Sequence, residues 1–489
     1  MKVNYTGSGK VFFQEKEHDC DLYLNEEQGG ILLKINVYRQ IVSYLELPLE
    51  MDFISGELST GFRFTLLECT RTGLQHLISY GKSVFSYSAK YMIKGIGGKD
   101  AHQITFNKVV FQLSDTMEWG NISGYSVGEN YALKQENEAE SVLYQNDNFS
   151  IKYFVNSSML PVVNMDLLKE NITLEQSGNV EISFNEEKCI TDFEDVYKKI
   201  KRLIELSMLR TITLKKVTGW SKDNKRLIGK EEHEWPIEII SYDFFCDNLD
   251  EDIKSIRYKW ICRPELIENN SFEEYFQKYE ILEPVVELYL EILEARDMSP
   301  VRAFLNITQA LETYHARFKA NTLEDFKKRI KDVILKNRPE SCYKENTEFL
   351  MKGSKKYLTL QSRLADLLLA EFKIWFGTGD IDRLEFPRVI AKTRNYYTHY
   401  NESIKKKERV LTSKELVMYN KVLLYILEYY LLSELGFTDV IAIRKKLNNR
   451  WGNISESLSI QKESRKMFSQ KLEENDEKSK EDEDNNTEQ

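Results

Sequence analysis

The chain has 489 residues, of which 42% are hydrophobic and 12% aromatic, so it is long and apolar enough to bury two or three independent cores. Its N-terminal residues lack the apolar segment of a secretory signal, and we therefore expect a cytoplasmic protein. The most apolar stretch, residues 415–432, is interrupted by Lys421 and Glu428. It predicts a buried helix and argues against a membrane-spanning segment.

The spacing of the cysteines argues against a structural zinc site and against a disulfide framework. No C-x-x-C pair and no histidine at ligand spacing accompany the six cysteines, so neither a structural zinc site nor a disulfide framework is indicated. We expect the thiols to be reduced. The cysteines are Cys20, Cys69, Cys189, Cys246, Cys262 and Cys342.

The net charge of -10 is distributed unevenly along the chain. Residues 301–460 contain 29 Lys and Arg against 19 Asp and Glu, a net of +10, whereas residues 461–489 carry -4 and residues 1–300 carry -16. A basic segment of this size is compatible with a polyanionic partner such as RNA. Charged helix faces that are merely solvated remain the alternative.

The first 190 residues contain short runs of Val, Ile, Phe, Tyr and Thr bounded by Gly, Asn and Asp, which predict strands. A helix is predicted to begin at Thr191, where Thr191 and Glu194 have the spacing of a capping box. Together these features predict a β-rich domain over residues 1–265. Its predicted strands cover residues 10–14, 31–37, 62–69, 104–113, 180–184, 211–217 and 236–245.

From Ser271 onward the pattern becomes helical, and the fold class predicted is therefore α+β multidomain, with an all-α bundle over residues 271–458. Four helix starts are predicted from N-cap residues, at Ser271, Ser299, Thr322 and Thr412. Residues 461–489 are polar and acidic, which predicts a disordered tail. Helices are predicted over residues 301–320, 358–376, 387–401, 412–436 and 439–447.

RNA can be cleaved without a metal, because its 2′-hydroxyl can attack the adjacent phosphorus. This needs a group that moves protons near neutral pH and a cation that stabilises the phosphorane, roles that suit histidine and arginine. Of the six histidines, only His399 lies close to an arginine, Arg394, in a predicted basic helix. The alternative is a magnesium site at Asp380 and Asp382, although such a D-x-D pair is common by chance and the ordinary expectation is that Asp380 or Asp382 caps a helix.

The helical spacing of Arg394, Asn395 and His399 makes a prediction about oligomeric state. Asn395 and His399 are four residues apart and share a helix face. Arg394 and His399 are five apart, roughly 140° round the axis and about 7.5 Å along it, so one copy would converge poorly on one phosphate. Two copies related by a two-fold axis could combine their arginines and histidines in one cleft.

The segment Arg394-Asn395-x-x-x-His399 resembles the Arg-polar-x(3–5)-His signature of HEPN ribonucleases. Residues 303–312 resemble the first long helix of the ApeA-like HEPN group, and residues 54–56 and 64–69 resemble its β-rich N-terminal domain. The resemblance covers nearly all of residues 1–455. It implies a metal-independent endoribonuclease of bacterial anti-phage abortive infection, toxic to its host when active, which works as a homodimer or higher homo-oligomer without a cofactor.

Under this interpretation His399 moves protons, Arg394 stabilises the phosphorane and Asn395 positions one of them. Glu312 is predicted to hold Arg394 by a charge-assisted bond. The β-rich domain would hold the nuclease in check until a phage-derived trigger arrives. The rival interpretations are a catalytically silent HEPN dimer that binds a ligand or partner, and the metal-dependent nuclease at Asp380 and Asp382. Contacts to RNA phosphates are expected from Lys392, Lys405, Lys406, Lys407 and Arg409.

Overall fold

The computed structural model divides into two compact units, Met1–Ile267 and Glu268–Gln489. The first unit is built mainly from strands and the second from helices, which confirms the predicted fold class. The residues that the structure describes are 5–13, 16–25, 30–38, 47–97, 103–131, 133–136, 140–158, 173–241, 260–295, 297–334, 347–352, 354–371, 385–452 and 456.

Twelve strands of the first unit form one antiparallel sheet. Four further short strands make two separate hairpins. The strands are β1 Tyr5–Phe13, β2 Lys16–Asn25, β3 Gly30–Tyr38, β4 Glu50–Leu58, β5 Arg63–Leu77, β6 Lys82–Lys94, β7 Phe106–Leu113, β8 Tyr125–Val127, β9 Leu133–Gln135, β10 Glu140–Gln145, β11 Phe149–Ser157, β12 Gln176–Lys188, β13 Leu214–Trp220, β14 Lys225–Ile228, β15 Glu231–Glu234 and β16 Ile237–Ile240.

Half of the large sheet closes on itself, because β5 pairs with both β4 and β6. The closed part runs β1-β2-β3-β6-β5-β4 and back to β1. The other half is an open extension in the order β16-β13-β7-β12-β11-β10. Strand β6 joins the two halves, since residues 82–89 pair with β3 while Met92 and Ile93 pair with β16.

The interior of the closed sheet is filled by side chains that alternate along each strand, as the twofold periodicity of a strand requires. In β6 every second residue from Ser83 to Tyr91 is buried. Strands β1 and β4 approach so closely that a Cβ on Gly9 would lie 2.3 Å from the carbonyl oxygen of Glu57, which explains the glycine there. The most buried members of this core include Val11, Leu22, Leu33, Ile35, Ile54, Phe64, Leu66, Phe85 and Tyr87.

Helix α2, Ile190–Met208, follows β12 and packs on the open extension. The rings of Phe111 and Tyr197 stack with their centroids 4.2 Å apart. The predicted helix start is right to within one residue, but the predicted cap is wrong, because Cys189 is the N-cap and donates its N–H to Asp192. Glu194 is buried instead and forms a 2.8 Å ion pair with Lys90.

The second unit is helical apart from its connections. One short helix, α3, crosses the division between the units, and Ile330–Ile334 continues α6 as a turn of π-helix. The further α-helices are α3 Arg263–Glu268, α4 Ser271–Glu294, α5 Pro300–Phe318, α6 Leu323–Arg329, α7 Leu360–Glu371, α8 Phe386–His399, α9 Glu402–Lys407, α10 Ser413–Glu434 and α11 Val440–Trp451, after the four-residue α1, Met117–Gly120, of the first unit.

All four helices begin where predicted to within one residue, and three of the four predicted N-caps are confirmed. Ser299 caps α5 ahead of Pro300, and capping boxes begin α6 at Thr322 and α10 at Thr412. The cap predicted at Ser271 is wrong, because α4 begins there but its hydroxyl donates to the carbonyl oxygen of Leu435, 2.5 Å away. The Ser271 hydroxyl therefore makes a tertiary hydrogen bond and does not cap its own helix.

Helix α10 is the centre of the second unit, as its apolar sequence predicts, and it packs against α5 and α11. Glu428 is buried within it and accepts hydrogen bonds from Tyr289, at 2.6 Å, Arg450, at 3.1 Å, and Trp451, at 2.6 Å. A buried carboxylate needs such donors, so Glu428 ties α4 and α11 to α10. Within the described residues, none of the helices combines the length and apolar character needed to span a membrane.

Several predictions concern residues outside those that the structure describes. These are the metal-binding alternative at Asp380 and Asp382, part of the strand over 236–245, and the acidic tail over 461–489. Four cysteines are described, and all four are free thiols. Burial raises the pKa values of Cys20 and Cys69 to about 12.

Candidate active site

The predicted catalytic motif occupies the C-terminal end of α8. The face of α8 that includes Val389, Ile390 and Tyr396 is buried, whereas Asn395 and His399 are exposed. The helix ends at His399, because Tyr400 adopts a left-handed conformation with φ of 47°. The motif is therefore displayed at the surface of a packed helix.

The guanidinium of Arg394 is held by the neighbouring helix α5. Its Nη2 lies 3.4 Å from Oε2 of Glu312, and its Nη1 donates to Oδ1 of Asn395 at 3.4 Å. The Arg394 side chain is 35% exposed. Both contacts are long for charge-assisted hydrogen bonds, so several N–H groups of Arg394 are available to an incoming anion.

Asn395 and His399 have different surroundings. The side-chain oxygen of Asn395 accepts from Arg394, which brings these two residues together. No hydrogen bond or ion pair joins the ring of His399 to any other residue that the structure describes. Of the two roles considered for Asn395, its geometry favours orienting the arginine, while the exposed ring of His399 keeps its bonding capacity for a substrate.

Three tyrosines surround the end of α8 with edge-to-face ring contacts, whose centroids lie 5.1–6.1 Å apart. Tyr397 donates to the carbonyl oxygen of Leu411 at 3.0 Å, and Tyr396 is buried. Tyr400 is 64% exposed. Two of the three rings therefore support the helix end, and only Tyr400 presents its ring beside His399.

Two of the predicted phosphate ligands already have partners within the unit. Lys392 binds Glu408 at 3.1 Å, and Arg388 binds the same carboxylate at 2.6 Å. Burial alone would raise the pKa of Glu408. The hydrogen bonds from Lys392 and Arg388 outweigh this effect, so the pKa of Glu408 is lowered. Arg409 lies near Glu415 and the hydroxyl of Tyr419. For these cations an RNA phosphate would have to compete with a carboxylate or a hydroxyl.

The remaining predicted phosphate ligands are exposed. Lys405, Lys406 and Lys407 form the last turn of α9. Lys405 lies over the ring of Tyr396 with its Nζ 5.7 Å from the centroid. The sequence pattern predicts no helix for this segment, whereas the structure makes it a short helix that begins three residues after His399.

Two family models match the chain. The model described as ApeA N-terminal domain 1 matches residues 5–279, more than half of the chain, and the model described as Apea-like HEPN matches residues 305–440. The chain belongs to the ApeA-like family. It is thus an anti-phage protein with a HEPN domain, as the sequence resemblance predicts. Neither a curated protein nor a solved structure matches it.

The HEPN match contains Glu312 on α5 as well as the whole of the Arg394–His399 segment and α9. HEPN domains are generally associated with ribonuclease activity and often form dimers. The exposed motif at the end of α8 therefore lies within the part of the chain that matches the HEPN domain.

Next to this surface site lies a buried charge cluster that the sequence did not reveal. His315 is fully buried and has its Nε2 2.9 Å from Oδ2 of Asp366. Asp366 also accepts from Nε of Arg329 at 2.8 Å, and Arg363 lies against the other ring nitrogen of His315 at 3.1 Å. The signal available in the sequence was Arg363 and Asp366, one helical turn apart in an apolar segment.

The pKa values of the cluster follow its burial and its partners. Burial lowers the pKa of His315, which the hydrogen bond to Asp366 only partly opposes. Burial would raise the pKa of Asp366, but the bonds from His315 and Arg329 more than reverse this and lower it. The cluster thus consists of a neutral imidazole, an ionised carboxylate and two guanidinium groups.

No group of three His, Cys, Asp or Glu side chains with the arrangement of a metal site occurs in the described ranges.

Proposed function

We propose that this ApeA-like protein is a metal-independent endoribonuclease of the abortive-infection type, acting in the cytoplasm. The observation that carries the proposal is the pairing, at one exposed helix end, of a histidine that has no partner among the described residues with a loosely held arginine. These are the two groups that RNA transesterification needs.

In the proposed reaction the RNA 2′-hydroxyl oxygen forms a bond to the adjacent phosphorus while the bond to the 5′-oxygen breaks. His399 accepts the proton of the 2′-hydroxyl, and an imidazolium returns a proton to the departing 5′-oxygen. Arg394 stabilises the charge of the phosphorane, and Asn395 orients Arg394 through the 3.4 Å bond. The products are a 2′,3′-cyclic phosphate and a 5′-hydroxyl end.

The reaction favours a homodimer or higher homo-oligomer. One proton must be removed and another delivered on opposite sides of the phosphorus, yet each chain offers one histidine at this helix end. A second copy across a two-fold axis would supply the second imidazole and a second guanidinium. The exposed Tyr400 ring beside the motif is available for such an interface.

RNA binding is proposed to rest mainly on Lys405, Lys406 and Lys407, which are exposed on α9. Lys392 and Arg409 would contribute after exchanging their present partners for phosphate. The β-rich unit is proposed to keep the nuclease inactive until a phage-derived trigger binds it.

The experiment is an RNA cleavage assay in excess EDTA with the wild-type protein and His399→Ala. His233→Ala, on strand β15, is a matched control because that histidine is also exposed. Cleavage by the wild type and the control, absent in His399→Ala, supports the proposal. Since a restrained enzyme can be silent in vitro, toxicity on expression is measured for the same three proteins.

The same assay separates the rival functions. Loss of wild-type cleavage in EDTA would favour a metal site at Asp380 and Asp382. No cleavage by any of the three proteins, together with expression toxicity that His399→Ala retains, would favour a catalytically silent HEPN dimer that binds a ligand or partner.

A further inference from the structure

The buried guanidinium of Arg363 is fixed by acceptors on two of its three nitrogens. Its Nη1 donates to the carbonyl oxygen of Ala320, at 2.8 Å, and to Nδ1 of His315, at 3.1 Å, and its Nη2 donates to the carbonyl oxygen of Asn321, at 3.1 Å. Its Nε is buried and has no hydrogen-bond partner among the described residues. An unpaired donor on a buried cation is costly.

The tautomer of His315 follows from this arrangement. A guanidinium only donates, so Nδ1 of His315 must accept from Arg363, and the ring proton must sit on Nε2. Nε2 then donates to Asp366, which Arg329 binds from the other side. The neutral His315 therefore helps to hold Arg363 in one orientation, in which its Nε–H has no hydrogen-bond partner among the described residues.

The carboxylate of Glu312 lies between this buried guanidinium and the surface guanidinium of Arg394. Its Oε1 is 4.0 Å from Nε of Arg363, and its Oε2 is 3.4 Å from Nη2 of Arg394. Neither separation is that of a good charge-assisted hydrogen bond. Glu312 is 32% exposed, and no other partner of its carboxylate is found in the described part of the chain.

We propose that Glu312 is a positioning residue that exchanges partners: it holds Arg394 while the site is empty and moves onto the Nε–H of Arg363 when Arg394 binds an RNA phosphate. The inference rests on the proposed function. A shift of about 1 Å brings Oε1 into hydrogen-bond range of Nε.

The exchange removes two penalties in one step. An arriving phosphate competes with Glu312 for Arg394, and a displaced carboxylate beside that phosphate would add repulsion. Binding to Arg363 moves the carboxylate inward and satisfies the buried donor. Because Arg363 is fixed by His315, Ala320 and Asn321, only Glu312 has to move.

The first test uses Glu312→Gln, measuring cleavage of RNA and binding of a 2′-O-methyl RNA, which cannot be cleaved because its nucleophile is blocked. Without the competing charge, we expect binding of the 2′-O-methyl RNA to tighten about two- to fivefold, the range for a part-exposed ion pair. We expect kcat to fall in the same variant, because a neutral amide binds the Nε–H of Arg363 less strongly than the carboxylate does and so fixes the RNA-bound arrangement less well. Equal losses in kcat and binding, together with a lower Tm, would show a merely structural role and overturn the proposal.

The second test adds Arg363→Lys. This substitution keeps the positive charge but removes the Nε–H to which the Glu312 carboxylate would bind. Glu312 should then stay on Arg394, so 2′-O-methyl RNA binding weakens, and the double variant with Glu312→Gln should bind as tightly as Glu312→Gln alone. Additive effects would contradict the exchange. If Arg363→Lys does not fold, the opposed changes in Glu312→Gln still test the exchange.

Glu408→Gln is the matched control for a general loss of negative charge near the RNA, since Glu408 pairs with Arg388 and Lys392 on another face of α8. The effects of Glu408→Gln and Arg363→Lys on RNA binding should be additive. Coupling between them as large as that between Glu312→Gln and Arg363→Lys would overturn the proposal. Failure of the wild type to cleave RNA, with the binding results intact, would instead remove the proposed function and leave the exchange standing.

Discussion

The helical unit contains two sites built from histidine, arginine and carboxylate, and they differ in what their side chains bind. At the buried site His315, Asp366 and Arg329 satisfy one another, and the first two are fully shielded from solvent. At the end of α8, His399 has no partner in the described residues and Arg394 is held by long contacts.

The difference between the two sites shows that residue type alone does not indicate a reactive site. A histidine whose two ring nitrogens are both bonded inside a core has no capacity left for a substrate. An exposed histidine beside a cation keeps that capacity, at the expense of weaker local packing. The buried site should therefore respond to mutation in stability, and the exposed site in catalysis.

The largest expected effect is on catalysis by His399→Ala. Removing a proton-transfer group lowers the rate by about 10²–10⁴-fold, so RNA cleavage should fall by that factor while Tm stays unchanged, because the ring is exposed and makes no bond in the described structure. Cleavage is followed with purified protein and Tm by thermal unfolding. A fall in Tm comparable to that of a core substitution would show that the two sites do not differ in this way.

The second prediction concerns Asp366→Ala at the buried site. It leaves the guanidinium of Arg329 and the imidazole of His315 without their common acceptor, which should lower the free energy of unfolding by about 3–5 kcal/mol. Urea denaturation measures the change. Replacement of the exposed Asn395 by Ala is the control and should leave stability within about 0.5 kcal/mol of the wild type.

Fold and site differ in how much of each could be predicted from the sequence. Alternation of apolar residues along the strands and the cap residues Ser299, Thr322 and Thr412 determine local structure, so the β-rich and helical parts were predictable. Closure of the sheet was not, because it depends on the pairings of β1 with β4 and of β3 with β6, which join strands that are distant in the sequence. The N-caps at Cys189 and Asn270 were not predictable either. The residues expected to cap these helices, Glu194 and Ser271, make tertiary contacts instead.

Only the part of the candidate site that lies on a single helix, α8, was predictable from the sequence. Spacing along α8 places Asn395 and His399 on its exposed end, but it says nothing about neighbouring helices. The contacts of Glu312 with Arg394 and Arg363 join α5, α8 and α7, and the partner of Lys392 lies beyond α9 at Glu408. Their roles in catalysis stay predictions.

The third prediction is a pH dependence of stability from His315. Burial lowers its folded pKa below the usual value of about 6.5, so the unfolded chain binds the proton more readily. This contribution is complete above about pH 6.5 and is lost as the pH falls through the folded pKa. Asp366, Arg363 and Arg329 surround the ring, and only His315 among them titrates in that range.

Thermal unfolding from about pH 7.5 to about pH 5, a range that spans the ordinary histidine pKa, should therefore show a steeper fall in Tm for the wild type than for His315→Gln. His18 also has a pKa lowered by burial, so His18→Gln is the matched comparison. Parallel curves for wild type and His315→Gln would contradict the neutral, proton-accepting imidazole described above.

The smallest expected effect concerns the exposed lysines. Replacing Lys406 and Lys407 by Ala should weaken binding of a 2′-O-methyl RNA and reduce the slope of log K against log salt by about 0.7 for each phosphate that is no longer neutralised. Lys392→Ala should change the slope less, because Glu408 already neutralises that charge. Identical slopes for the wild type and both variants would place the RNA elsewhere.

The chemistry of the cleaved RNA ends tests the role of the α8 motif most directly. A 5′-labelled RNA is incubated with the wild-type protein in excess EDTA, and the 3′ ends of the products are identified by mass spectrometry. Attack by the 2′-hydroxyl predicts 2′,3′-cyclic phosphate ends, which Arg394→Ala and His399→Ala should both abolish. Ends carrying a 3′-hydroxyl, or cyclic phosphate formed equally well by either variant, would contradict the assignment of this chemistry to the end of α8.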